Sequence, residues 1–119
     1  MLRCGIDMIE ISRVEDGIEK FGERFLNRFF TAGERADCKD EPHRLAARFA
    51  GKEAVAKALG TGIGMVGWRD IEIRGGEAGR PLLLLHGAAA TTSAELGLTQ
   101  WDISLTHTKT EASAVAIAL

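Results

Sequence analysis

The stretch from His43 to Leu59 leaves this chain the least freedom. Asp40-Glu41-Pro42 ahead of it is a helix start signal, and Gly60 behind it is a C-cap. Between them stand Ala46, Ala47, Ala50, Gly51, Ala54, Ala56 and Ala58, so the segment reads as a helix dominated by small side chains. The whole chain has 119 residues, enough for one core and too few for two. No repeat, low-complexity tract or Ser/Pro-rich linker divides it, and residues 1–119 are expected to form a single domain.

Ahead of that helix, Leu2 to Ile11 is rich in Ile and interrupted at alternate places, which predicts a strand in which Asp7 and Glu10 break an apolar pattern. Ser12 then offers an N-cap, with Glu15 completing a capping box for a helix from Arg13 towards Arg28. Behind it, Gly60, Gly62, Gly64 and Gly67 connect to a strand over Trp68 to Ile73. A turn at Gly75, Gly76 and Gly79 leads to a strand over Pro81 to Leu85, and His86 to Leu96 is an alanine-rich helix ended by Gly97. Trp101 to His107 and Ala112 to Ala118 form a hairpin around Thr108-Lys109-Thr110-Glu111. The order predicts an α+β fold with an antiparallel sheet and helices.

Composition narrows the function classes. At 45% hydrophobic and 27% charged residues the chain is of ordinary globular type. Its 15 basic against 17 acidic residues give a formal charge of -2, so no overall field calls for nucleic acid, and any charged partner must be met by a local patch. Two cysteines are too few for a disulfide scaffold; Cys4 and Cys38 read as reduced thiols of a cytoplasmic protein, Cys4 as a small core residue. Met1 to Asp7 lacks the pattern of a signal peptide, and Pro81 to Leu85 is far too short to span a membrane.

At about 100° per residue, the helix after Ser12 sorts into three sectors. Val14, Ile18, Phe21 and Phe25 share one and Glu15, Asp16, Glu19 and Glu23 another. Arg13, Lys20 and Arg24 fill the third, with Arg28 at its edge. This basic stripe is either a solvated face or a docking face for an acidic partner.

Asp7 is anomalous because a carboxylate among Ile and Met needs a compensating charge, from a salt bridge or from a metal ion. Glu53 is a second anomaly, sharing a helix side with Ala46, Phe49 and Ala50, while Lys57 follows at the spacing of an ion pair. Two carboxylates on a strand and a helix also suit magnesium, which takes one or two protein oxygens plus substrate phosphates. Lys57 is then placed to meet phosphate charge, with Arg48 and Lys52 on the flank of the same helix. Gly60-Thr61-Gly62-Ile63-Gly64 is not a Walker loop and serves either as a turn or as a phosphate approach. His107 ends a strand, where a lone histidine is more often structural or exposed than catalytic. No Cys/His spacing fits zinc, and neither Ser93 nor Ser104 has a nucleophile-elbow signature.

These pieces together resemble one family. Gly5-Ile6-Asp7 with Arg13, Phe29-Phe30-Thr31 with Glu34 and Cys38, and Arg48-Phe49-Ala50-Gly51-Lys52-Glu53-Ala54-Val55-Ala56-Lys57-Ala58-Leu59-Gly60-Thr61-Gly62 occur in its order. So do Trp68-Arg69-Asp70-Ile71-Glu72-Ile73, Gly79-Arg80-Pro81 and Ser104-Leu105-Thr106-His107-Thr108-Lys109. The chain is similar over essentially its whole length to the holo-acyl-carrier-protein synthases, the small bacterial 4'-phosphopantetheinyl transferases. The pairing of Phe49, Lys52, Glu53, Ala54, Lys57 and Ala58 with the upstream Gly5 and Asp7 is the specific part.

The resemblance implies a magnesium-dependent transfer of the phosphopantetheine arm of coenzyme A to a serine of apo acyl carrier protein. Adenosine 3',5'-bisphosphate is released, and the setting is fatty-acid biosynthesis. It implies Asp7 and Glu53 as metal ligands and Lys57 as the residue that binds the phosphates and could assist leaving-group protonation; the serine also needs a base, for which Glu53, directly or through a metal-bound water, is the candidate. Arg48, Lys57, Gly62, Gly79, Arg80, Pro81, Thr106 and His107 would form the coenzyme A pocket. Arg13, Lys20 and Arg24 would dock the carrier protein, and the assembly would be a homotrimer with sites between subunits. Thr106 stands where many members have Ser, keeping the hydroxyl. Two other readings use the same residues: a non-catalytic coenzyme A or carrier-protein binding module, and an oligomeric scaffold in which Asp7 is merely ion-paired.

Overall fold

A methyl group added at Gly5 would lie 1.9 Å from the carbonyl oxygen of Ala54 and 3.0 Å from the backbone nitrogen of Ala58, so the first strand rests directly on the backbone of the long helix. The computed structural model describes residues 1–119. Strand β1 (Arg3–Glu10) is followed by helices α1 (Ile11–Phe21), α2 (Glu23–Phe29), α3 (Ala32–Cys38) and α4 (Pro42–Leu59). Then come strands β2 (Ile71–Gly75) and β3 (Pro81–Leu85), helix α5 (Gly87–Glu95), and strands β4 (Trp101–His107) and β5 (Glu111–Ala118). An antiparallel sheet runs β1-β5-β4, and β2 pairs antiparallel with β3 in a separate ribbon. The fold is α+β, as the element order predicts.

The small residues of α4 have a reciprocal cause in β5. Ala112, Ala114, Ala116 and Ala118 alternate along β5 with their side chains buried, and Ala46, Ala47, Ala50, Ala54, Ala56 and Ala58 are buried on α4. Methyl-sized groups on both sides let helix and sheet approach closely, and dispersion gained at short range replaces interlocked large side chains. Larger residues fill the margins: Val14, Leu45, Val55, Ile71, Ile73 and Ile103 join the same core.

Several expectations change. The helix predicted from Arg13 to Arg28 is two helices, because Gly22 adopts φ 54°, ψ -127° between them, a conformation open to glycine. Ser12 does not cap it: α1 begins two residues earlier than expected, at Ile11, with Glu10 at the N-cap position and no side-chain cap bond. A further helix, α3, stands where none was expected, started by a capping box in which Thr31 and Glu34 bond each other's backbone. Trp68–Asp70, read as strand, is a 3-10 turn, and β2 begins only at Ile71.

Cys4 is also corrected. It is exposed, whereas Cys38 is buried and burial pushes its thiol up to about 11. The pleat of β1 sends Gly5, Asp7 and Ile9 towards α4 and leaves Cys4, Ile6 and Met8 on the outer face. Ile6 is 66% and Met8 60% exposed there, and Ile117 of β5, level with Cys4, is 45% exposed. The sheet therefore carries an uncovered apolar face.

Candidate active site

Asp7 and Glu53 converge at the junction of β1 and α4. Gly5 sets the distance between the two elements, and Asp7 shares its face of the strand two residues on. Lys57, one helical turn after Glu53, donates to the Ile6 carbonyl at 3.0 Å and to Asp7 Oδ1 at 3.2 Å. The compensating charge that Asp7 requires thus comes from Lys57. Glu53 is half-buried, and its carboxyl is raised above the ordinary range by burial and then by the nearby Asp7 charge, with Lys57 opposing. No hydrogen bond to the Glu53 carboxylate offsets that burial. Two hard oxygen donors on rigid elements, one of them without a hydrogen-bond partner, fit a magnesium ion.

A second group of predicted residues lies elsewhere on α4. A cleft of about 530 Å³ is lined by Arg44, Arg48, Gly79, Pro81, Thr106 and His107, among others. Arg48 Nε donates to the Ile73 carbonyl at 3.4 Å, and the His107 ring lies 5.1 Å from that of His43. Arg44 escaped the sequence reading although it precedes Arg48 by one turn on the same face. Arg80 lies in an adjoining groove with Trp101 and pairs with Asp102 at 3.0 Å. Gly62 sits beyond the C-terminal end of α4, its amide bonded to the Ala56 carbonyl.

The two groups do not meet within one chain. Arg48 and Lys57 are nine positions apart on α4, which places them roughly 180° apart around the axis and about 13 Å along it. One copy of the helix therefore presents Glu53 and Lys57 on one side and the Arg48 cleft on the other.

Lys52 is corrected outright. It is fully buried and does not flank a phosphate position: its ammonium bonds Glu34 Oε1 at 2.7 Å and the carbonyls of Trp68 and Ile71 at 2.9 and 2.6 Å. Glu34, also fully buried, accepts in addition from the amides of Thr31 and Ile73. Burial lowers the Lys52 ammonium, and Glu34 opposes that shift. Beside this pair, Glu72 accepts from the Thr31 hydroxyl at 2.6 Å and lies 2.9 Å from His86 Nε2. These bonds join α3, α4 and β2.

Arg13 and Lys20 are exposed on α1, and their spacing puts them on one face with Gly17 between. The break at Gly22 removes Arg24 from that stripe and turns α2 back. The result is a cleft of about 350 Å³ lined by Gly17, Phe21, Arg24, Phe25, Arg28 and Phe29. Phe21 is 59% exposed at its edge. An apolar floor between arginines suits an acidic partner that offers an apolar side chain.

Comparison with known proteins shows what the whole chain is similar to. The family model of the 4'-phosphopantetheinyl transferase superfamily matches residues 3–118. A holo-[acyl-carrier-protein] synthase of Herpetosiphon aurantiacus is 42% identical over 126 aligned positions, covering 100% of this chain and 99% of that protein. The synthase of Moorella thermoacetica is 49% identical, covering 98% of this chain and 93% of its own. Among solved structures, the Helicobacter pylori holo-[acyl-carrier-protein] synthase in complex with coenzyme A superposes with a TM-score of 0.89 at 32% identity, over 98% of this chain and 99% of that one.

Proposed function

The chain belongs to the 4'-phosphopantetheinyl transferase superfamily, and from that premise we propose that it transfers the phosphopantetheine arm of coenzyme A to a serine of apo acyl carrier protein. The products are holo carrier protein and adenosine 3',5'-bisphosphate, the reaction depends on magnesium, and the setting is fatty-acid biosynthesis in the cytoplasm. The observation that carries the reading is the partnerless Glu53 carboxylate beside the Lys57–Asp7 pair. A binding module needs no such half-buried charge.

The serine Oγ attacks the β-phosphorus, the bond from that phosphorus to the oxygen of the leaving 3',5'-bisphosphate breaks, and the serine proton passes to Glu53. Asp7 and Glu53 are the proposed ligands of magnesium, which when bound supplies positive charge to the pyrophosphate oxygens. Lys57 meets the phosphate charge that develops on the leaving side. Arg48, Gly62, Gly79, Arg80, Pro81, Thr106 and His107 bind the rest of coenzyme A, Arg44 joining them. Arg13, Lys20 and Arg24 receive the acidic carrier, with Phe21 and Phe25 under its apolar contact.

Residues 1–119 act as one domain, and three copies assemble with a site at each boundary. Two features support that assembly. Arg48 and Lys57 face opposite sides of α4, so a single extended ligand reaches both kinds of residue only across two copies. The uncovered Ile6, Met8 and Ile117 supply an apolar surface for the contact.

Incubation with coenzyme A, magnesium and apo carrier protein, with the carrier weighed afterwards, tests the proposal. The carrier gains the arm with the native protein, and Glu53→Gln abolishes the gain while its circular dichroism is unchanged. An unmodified carrier with native protein returns the chain to the binding-module reading. An active, magnesium-dependent Glu53→Gln variant removes both roles of Glu53.

A further inference from the structure

The Asp7 carboxylate that would hold a divalent cation is already bonded to a cation of the chain itself. Lys57 Nζ lies 3.2 Å from Asp7 Oδ1, while Glu53 has no such bond. A divalent ion on Asp7 would meet the ammonium at close range, and like charges at that distance repel strongly. The other bond of the ammonium is a single exposed one to the Ile6 carbonyl, at 3.0 Å. The Lys57 side chain is 52% exposed on the last turn of α4, and its flexible four-carbon stem can leave Asp7 without disturbing the core. An incoming pyrophosphate offers the displaced ammonium a new anionic partner.

On the metal-site reading given above, we propose that Lys57 couples the two ligands. It competes with the divalent cation for Asp7, and the pyrophosphate of coenzyme A draws it away, so that each ligand strengthens binding of the other. Linkage makes the effect reciprocal: the factor by which coenzyme A tightens the cation equals the factor by which the cation tightens coenzyme A. Lys57 thereby disfavours a cation bound alone and favours the cation that arrives with its phosphate ligand.

The test is Mn²⁺ binding followed by electron paramagnetic resonance, with and without coenzyme A, in native protein, Lys57→Met, Lys57→Arg and Asp7→Asn. Without coenzyme A, Lys57→Met should bind Mn²⁺ about threefold to tenfold tighter than native protein, the range expected for losing one exposed ion pair and its repulsion. Lys57→Arg, which keeps the charge, should remain within about twofold of native. Coenzyme A should tighten Mn²⁺ on native protein and do so much less on Lys57→Met. The coupling is refuted if Lys57→Met binds Mn²⁺ no tighter than native protein, including the case in which neither binds without coenzyme A. The metal-site reading fails separately if Asp7→Asn binds Mn²⁺ as native protein does with coenzyme A present.

Discussion

Replacing Gly5 with alanine should be the most damaging single methyl addition in this molecule. The new carbon would fall 1.9 Å from the Ala54 carbonyl oxygen and 2.9 Å from its carbonyl carbon. A carbon and a carbonyl oxygen rest no closer than about 3.3 Å, so β1 and α4 must separate by about 1.4 Å. Neither side yields by turning a side chain, because both contacts are backbone. Overpacking of a tight interior costs about 1–3 kcal/mol, and a backbone-to-backbone clash belongs at the upper end. For a domain of this size about 3 kcal/mol lowers Tm by about 12 °C. The same displacement shifts Asp7 relative to Glu53, and misplacement by about 1 Å can reduce turnover about a hundredfold. Circular dichroism melting and carrier loading well below the variant's Tm measure the two effects. Gly17→Ala is the control for the melting effect alone, since the nearest atoms its methyl would meet belong to the Phe25 ring, a side chain and not backbone. A Gly5→Ala variant that melts within about 2 °C of native protein and turns over normally would refute the account of this contact.

Three further outcomes are expected. Lys52→Met leaves Glu34 buried without its cation and should lose about 3–5 kcal/mol in urea unfolding, with Glu34→Gln added to it restoring part of the loss. Arg24→Glu, alone or with Arg13→Glu, should raise the Michaelis constant for the carrier protein and flatten its salt dependence while the constant for coenzyme A stays unchanged. Acid should destabilise the fold: Asp37 is held low by Arg74 and Asp40 by Arg35, and in Glu72 bonds from Thr31 and His86 outweigh the upward push of burial. Below pH about 4 the unfolded chain takes up these protons before the folded one does, so their stabilisation is complete above that range and lost beneath it. Glu53, raised in the folded state, has the opposite sign, and a pH series of melting curves should fall slightly more steeply towards acid in Glu53→Gln than in native protein.

Much of this architecture is legible in the chain because the signals are local. The start at Pro42 and stop at Gly60 bound α4, and alternation marks β4 and β5. Asp7 and Glu53 stand out as charges in apolar settings, and the structure brings them together. The failures arise where one local signal hides another or where the deciding partner is distant. Gly22 interrupts a stretch whose apolar period continues through it, so the sectors look continuous although the helix turns. Thr31 and Glu34 have capping-box spacing, a local signal that marks the start of α3. Hydrophobicity points Cys4 inward, whereas the pleat puts it on the opposite face from Gly5. Lys52 owes its burial to Glu34, 18 positions earlier, and to two carbonyls near β2, none of which helical spacing reveals.

Strand β1 lacks the division of labour usual in a sheet, where one face packs and the other drifts in sequence. Its inward side chains are a glycine that cannot acquire a methyl, a carboxylate beside Lys57, and a buried isoleucine; its outward ones are Cys4, Ile6 and Met8. Under the three-copy assembly proposed above, that outer face is constrained as well. In a saturation library scored for carrier loading, residues 5–9 should then form an unbroken intolerant run, whereas β3, with Leu82 and Leu84 outward, should tolerate change at every second position.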